Sequence, residues 1–183
     1  MRLFVAIPLP ELLCDQLAQM RGGLENARWV DPENMHLTLR FLGELDGREA
    51  ADVDAELNAI SVPSFEMELA GLHTFGNGKK INSLYVHVEA PEPLTRLQTK
   101  VEKSVQRAGL APEGRKFRPH VTLARFKGPP GPKFGNFLHQ HSLYRSGPVP
   151  VDRFALYSSK LTQKGPIYRI EAEYTLEPAT VGS

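Results

Sequence analysis

Two short strings share one pattern: His36-Leu37-Thr38-Leu39 and His120-Val121-Thr122-Leu123, each reading His-apolar-Thr-apolar. Side chains alternate between the two faces of a strand. His36 and Thr38 then share one face, with Leu37, Leu39 and Phe41 on the other; His120 and Thr122 stand likewise against Val121 and Leu123. Each strand anchors itself in a core and presents an imidazole beside a hydroxyl on its opposite side. Histidine titrates near pH 6.5, about where one ring can start neutral and a second protonated. The neutral ring takes a proton from water and the charged ring gives one to a leaving oxygen. That division suits attack on a phosphodiester, where one P–O bond forms as the opposite one breaks. The threonine hydroxyls are placed to hold the non-bridging oxygens. From the residues alone, either histidine can be the acid.

Other chemistries lack their residues. There is no His-Glu-x-x-His, no cysteine pair and no Asp-rich cluster, so neither a metal nor another cofactor is expected. No Gly-x-Ser-x-Gly occurs, which argues against a serine hydrolase.

The elements that must carry the motifs follow from periodicity. Leu3 to Ile7 reads as a first strand, since Pro8, Pro10, Glu11 and Asp15 break the run before a signal peptide could form. Leu12, Leu13, Leu17 and Met20 predict a helix ending at Gly22-Gly23. His36 to Leu42 is a strand stopped by Gly43. Asp46 with Glu49 predicts a capping box ahead of a helix with Ala50, Val53, Leu57 and Ile60 inward. Phe65, Met67 and Leu69 alternate with Glu66 and Glu68 as a half-exposed strand, and Gly76-Asn77-Gly78 is a turn. A strand at Leu84 to Val88 precedes a helix at Pro91 to Ala108, closed by Gly109. His120 to Phe126 is a strand and Gly128 to Pro132 a rigid loop. Phe134 to Tyr144 is helical, and the final strands, Phe154 to Ser158 and Ile167 to Leu176, are parted by a Gly165-Pro166 turn. The order strand-helix-strand-helix-strand occurs twice, with Phe4 matching Tyr85, His36 matching His120 and Phe65 matching Phe154. Such a repeat predicts two lobes around a cleft, within a single domain spanning residues 1–183.

The chain has 183 residues, 41% hydrophobic and 23% charged, with a net charge of +1, which excludes disordered and fibrous classes. Its longest stretch free of Asp, Glu, Lys and Arg is the 11 residues from Phe134 to Tyr144, so no membrane span is expected. The single cysteine, Cys14, fits a cytoplasmic setting. Charge is uneven. Arg96 to Lys133 holds ten basic residues against Glu102 and Glu113, whereas Glu44 to Glu56 holds six acids against Arg48. A basic side of this kind can draw a polyanion.

Trp29-Val30-Asp31-Pro32-Glu33-Asn34-Met35-His36-Leu37-Thr38-Leu39-Arg40-Phe41-Leu42-Gly43-Glu44 resembles the first signature of the RNA 2′,3′-cyclic phosphodiesterases, once called 2′-5′ RNA ligases, of the two-histidine phosphoesterase superfamily. Phe117-Arg118-Pro119-His120-Val121-Thr122-Leu123-Ala124-Arg125 resembles the second signature, and Arg2 to Ile7 and Leu156 to Leu161 look like the terminal strands. The resemblance implies a bilobed α+β fold, an antiparallel sheet in each lobe with helices outside, and both chain ends in one lobe. It implies hydrolysis of an RNA terminal 2′,3′-cyclic phosphate to a 2′-phosphomonoester, with weak 2′-5′ joining in some relatives. His36 would then be the proton donor, His120 the proton acceptor, and Thr38 and Thr122 the phosphate ligands. Arg125 would be a further phosphate partner, although strict alternation points it away from His120 and demands a bulge or strand end.

Other residues are read more plainly. Arg40 shares the His36 face as a solvated side chain, and Phe41 packs inward. Phe75 is placed to stack on a base, His73 is a loop residue, and Arg115, Lys116 and Arg118 can hold RNA phosphates. The expected partner is an RNA terminus or related nucleotide, with no membrane and no obligate protein partner, bound by a monomer. The competing readings are a nucleotide- or RNA-binding module without turnover, and a phosphodiesterase for small cyclic nucleotides.

Overall fold

The N-terminal apolar run forms β1 (Arg2–Pro8), whose residues 3–7 are buried on both faces of the strand. The structure, a computed structural model, describes residues 1–76, 80–89 and 91–178. β1 lies inside a four-stranded antiparallel sheet. It is flanked by β3 (His36–Glu44) on one side and β8 (Arg153–Thr162) on the other, and β9 (Gly165–Thr175) completes that edge. The second sheet is also antiparallel. It runs in the order β2 (Ala27–Trp29), β6 (His120–Phe126), β5 (Ser83–Glu89), β4 (Phe65–Phe75) and β7 (Arg145–Val151).

Among the described residues, four α-helices accompany the sheets: α1 (Glu11–Ala18), α2 (Gly47–Asn58), α3 (Glu92–Arg107) and α4 (Phe134–Gln140). α2 begins with the expected capping box. The Asp46 side chain accepts from the Glu49 N–H at 2.8 Å, and Glu49 accepts from the Asp46 N–H at 3.1 Å. Leu94, Leu97, Val101 and Val105 of α3 are completely buried. Each such side chain contributes about 2 kcal/mol by leaving water. Gly109 then takes φ +107°, the left-handed geometry that ends α3. One continuous core joins Leu3, Val5 and Ile7 of β1 to Leu84, Val86 and Val88 of β5 and to α3.

The internal repeat is visible in the strand order. β5 is the inner strand of its sheet as β1 is of the other, with β6 beside it as β3 is beside β1. The third strands are exchanged: β4 joins β5, while β8 joins β1. Phe65 and Phe154 therefore do correspond, each in the sheet of the other half. Both terminal regions consequently lie in the first sheet, as the resemblance implied.

Several local expectations are corrected. β2 and β7 were not expected. β2 has only three residues, and β7 carries Pro148 and Pro150, which an edge strand tolerates because one side makes no ladder bonds. Gly165 and Pro166 belong to β9, so the hairpin turns at Gln163 and Lys164. α1 stops at Ala18, and Leu12 is 78% exposed rather than part of the inward stripe. His73 lies in β4, not in a loop. In the expected Gly76-Asn77-Gly78 turn, Asn77 and Gly78 lie outside the described residues. The acidic and basic stretches meet: Arg107 of α3 pairs with Glu56 of α2 at 3.0 Å.

Candidate active site

The two motif strands are neighbours across the seam between the sheets, β3 from one and β6 from the other. Leu37 and Val121 are fully buried, while His36, Thr38, His120 and Thr122 are half-buried on the opposite faces. The alternation expected for both motifs is therefore present. The structure sets the two motif strands against each other, close enough for His36 to feel the charges of His120 and Arg125.

The histidines are held by the same device. His36 Nδ1 lies 2.7 Å from the Asn34 carbonyl, and His120 Nδ1 lies 2.6 Å from the Arg118 carbonyl. A carbonyl only accepts, so each Nδ1 carries the proton and each Nε2 is left with a lone pair for the cleft. Aromatic rings fix the remaining freedom. His36 packs on Phe4, Tyr168 and Tyr157 at centroid distances of 4.9, 5.3 and 5.8 Å. His120 meets Phe75 and Tyr85 edge-on at 5.0 and 5.3 Å, and those two rings stack on each other at 4.3 Å.

A bulge decides which residues join them. Along β6, Leu84 pairs with Ala124 but Tyr85 pairs with Thr122, so Leu123 is an extra residue. Leu123 and Ala124 both point into the core, at 1% and 0% exposure, and Arg125 is thereby turned onto the face of Thr122 and His120. β3 repeats the step: Val5 pairs with Arg40 and Ala6 with Thr38, leaving Leu39 over. This corrects two expectations. Arg40 does not share the His36 face. It is buried beneath the sheet and donates to Glu102 at 2.6 Å and to the Ala111 carbonyl at 2.5 Å. Phe41 is not core packing but is 59% exposed on the cleft face, beside Phe4.

The electrostatics follow from this placement. Burial pushes the His36 imidazole down to about 4, against the opposing hydrogen bond to Asn34, and the charges of Arg125 and His120 lower it further. Burial also lowers His120, again opposed by its carbonyl bond and assisted by Arg125. Without an anion in the cleft, both rings are neutral near pH 7. A phosphate would supply the negative charge that favours protonation of one of them.

Phe75 lies beside His120, its ring edge-on to the imidazole. Arg115 is engaged with Glu113 at 3.5 Å, and the Arg118 carbonyl serves His120. Phe4, Tyr85, Tyr157 and Tyr168 were not anticipated. Their signal was the alternate position on a strand, which became readable only once the strand pairing was known. Among the described residues, no three His, Cys, Asp or Glu side chains form a metal-holding group.

A two-sheet fold with one His-x-Thr pair from each sheet defines a class of phosphoesterase. The family described as LigT-like phosphoesterase matches this chain twice, over residues 7–85 and 86–168, one match for each half of the repeat. The chain belongs to that family. It is 34% identical to the RNA 2′,3′-cyclic phosphodiesterase of Aeropyrum pernix, over 84% of this chain and 91% of that protein. It is 33% identical to the protein of the same name from Thermotoga maritima, over 97% and 96%. Among solved structures, TT0787 of Thermus thermophilus superposes with a TM-score of 0.81 at 29% identity, covering 97% of this chain and 99% of that one. E. coli LigT complexed with 3′-AMP superposes with a TM-score of 0.75 at 25% identity, covering 96% and 97%.

Proposed function

We propose that this protein hydrolyses the 2′,3′-cyclic phosphate at an RNA terminus to a 2′-phosphomonoester, without a metal, using His36 and His120 as acid and base. The observation that supports the reading is two imidazoles, each bonded through Nδ1 to a carbonyl so that Nε2 is left free, and near enough for His36 to feel the charge of His120. The relatives named RNA 2′,3′-cyclic phosphodiesterase support the substrate class.

His120 Nε2 takes a proton from a water as that water attacks phosphorus. The bond from phosphorus to the 3′ oxygen breaks, and His36, protonated beside the anionic substrate, gives its proton to that oxygen. The products are a 3′ hydroxyl and a 2′-phosphate. Thr38, Thr122 and Arg125 hold the non-bridging oxygens, where the extra charge develops. Phe75 supports the terminal base by stacking. The assignment of donor and acceptor follows the family resemblance.

Both motifs come from one chain, which supports a monomer, and the continuous core supports one bilobed domain over residues 1–183. No helix among the described residues is long and apolar enough to cross a membrane. The buried free thiol of Cys14 supports a cytoplasmic setting. The test is product analysis on a short RNA ending in a cyclic phosphate, with EDTA present. A 2′-phosphorylated product supports the reading; binding without product supports a module that does not turn over; loss of activity with EDTA contradicts metal independence.

A further inference from the structure

Arg28 stands at the middle of β2, directly opposite Arg125 of β6. Its neighbour Trp29 pairs with the fully buried Ala124 and packs on Phe137 of α4, while Phe126, opposite Ala27, packs on Phe134. Those residues mark the helix side of the sheet. Arg28 is therefore on the cleft side, next to Arg125. Like charges directly opposite one another across a strand pair repel. Yet among the described residues neither arginine forms an ion pair.

Arg28 also reaches across the cleft. One guanidinium nitrogen lies 3.2 Å from the position a Cβ would take on Gly165, at the base of the β8–β9 turn in the other sheet. Gly165 has φ +114°, so the glycine is required there, and the turn beyond it carries the exposed Lys164. The cleft thus ends in a basic corner, one strand beyond the residue placed on the reacting phosphate. Cα atoms opposite each other in an antiparallel pair are about 5 Å apart. The next phosphate of a chain already held at Arg125 can span that step.

We infer that Arg28 binds the phosphodiester on the 5′ side of the terminal nucleotide, while Arg125 holds the cyclic phosphate. The inference rests on the proposed cyclic phosphodiesterase activity and makes an RNA end, rather than a free cyclic mononucleotide, the preferred substrate. Two arginines that have no counter-ion among the described residues become paired when consecutive phosphates lie across them. Arg28 is a specificity residue and takes no part in proton transfer.

The test compares kcat/KM for a 2′,3′-cyclic mononucleotide and for a dinucleotide ending in the same cyclic phosphate, with wild type, Arg28→Ala and Arg28→Lys. A third substrate replaces the internal phosphodiester of the dinucleotide by an uncharged methylphosphonate. Arg28→Ala is expected to reduce the dinucleotide preference about tenfold, through KM, as loss of one charge-assisted hydrogen bond would. Arg28→Lys is expected to retain part of it, and the methylphosphonate is expected to abolish the effect of both variants. Dinucleotide binding by wild type is expected to depend more steeply on salt, by a slope difference of about 1. Equal losses on both charged substrates, no loss on either, or an undiminished effect on the methylphosphonate would overturn the inference. Wild type that turned over neither charged substrate would overturn the cyclic phosphodiesterase reading itself, and this inference with it.

Discussion

Arg125 stands on the same face of β6 as His120, five residues earlier, because Leu123 is an extra residue between them. An odd separation would otherwise place the two on opposite faces. The equivalent step at Leu39 sends Arg40 beneath the first sheet and turns Phe41 outward. One device used twice thus presents a cation on one wall of the cleft and an aromatic ring on the other.

The proposed role of Arg125 has two parts, and its removal separates them. As the proposed phosphate ligand, its loss is expected to lower kcat/KM by roughly ten- to hundredfold. Burial is the main cause of the low histidine values, but the Arg125 charge depresses both rings further. In Arg125→Ala the pH profile of kcat/KM moves to the alkaline side, whereas Arg125→Lys keeps the wild-type position. Steady-state kinetics on all three proteins, from about pH 4 to about pH 9, reads both effects.

The depressed histidines also set the shape of that profile. In the proposed mechanism the productive free enzyme has a protonated acid and a neutral base. With His36 at about 4 and His120 below its ordinary value, kcat/KM peaks on the acid side of pH 6.5 and falls as the pH rises past it. A bound phosphate anion favours protonated His36, so the kcat profile, which reports the complex, peaks at higher pH. Coincident kcat and kcat/KM profiles would show that bound phosphate does not raise the acid.

The same burial appears in stability. His36 is lowered in the folded protein, so folding favours its neutral form. That contribution is complete above the ordinary histidine value and is lost as the pH falls from 6.5 through about 4. The Tm of wild type is expected to drop across that window, and His36→Gln to show a shallower drop in the same thermal scans.

Arg40 and Glu102 form a structural pair away from the chemistry. Burial pushes the Glu102 carboxyl up, but hydrogen bonds from Arg40, Gln106 and the Glu113 N–H outweigh it and hold it at about 2. Its contribution is present above the ordinary carboxylate value and is lost as the pH falls toward 2. Arg40→Ala leaves the Glu102 carboxylate only Gln106 and the Glu113 N–H and is expected to cost about 2 kcal/mol in urea unfolding. The double change Arg40→Met with Glu102→Leu is expected to recover most of that, with kcat unaffected in either protein.

The fold class and the local pattern of the two motifs were legible in the sequence; the long-range pairing of strands was not. Two His-x-Thr strings are local patterns, and their faces follow from strand periodicity alone. The capping box at Asp46 and the α3 stripe are equally local, and both are present. Arg40 and Phe41 were read in reverse because a bulge is a property of two paired strands, and nothing in Leu39 announces it. β7 was hidden by Pro148 and Pro150, which are unfavourable in a strand except at an edge. Nothing local singles out Arg28, because its place opposite Arg125 depends on the pairing of β2 with β6. The exchange of β4 and β8 between sheets is likewise a long-range choice.

The most direct measurement is turnover of a short RNA bearing a 2′,3′-cyclic phosphate by wild type, His36→Ala and His120→Ala, with EDTA present and products separated by phosphate position. Wild type is expected to release only the 2′-phosphomonoester, and each variant to lose about 10²–10⁴-fold in kcat while keeping the wild-type unfolding profile at pH 8. A variant of either histidine that turned over near the wild-type rate would contradict the two-imidazole mechanism.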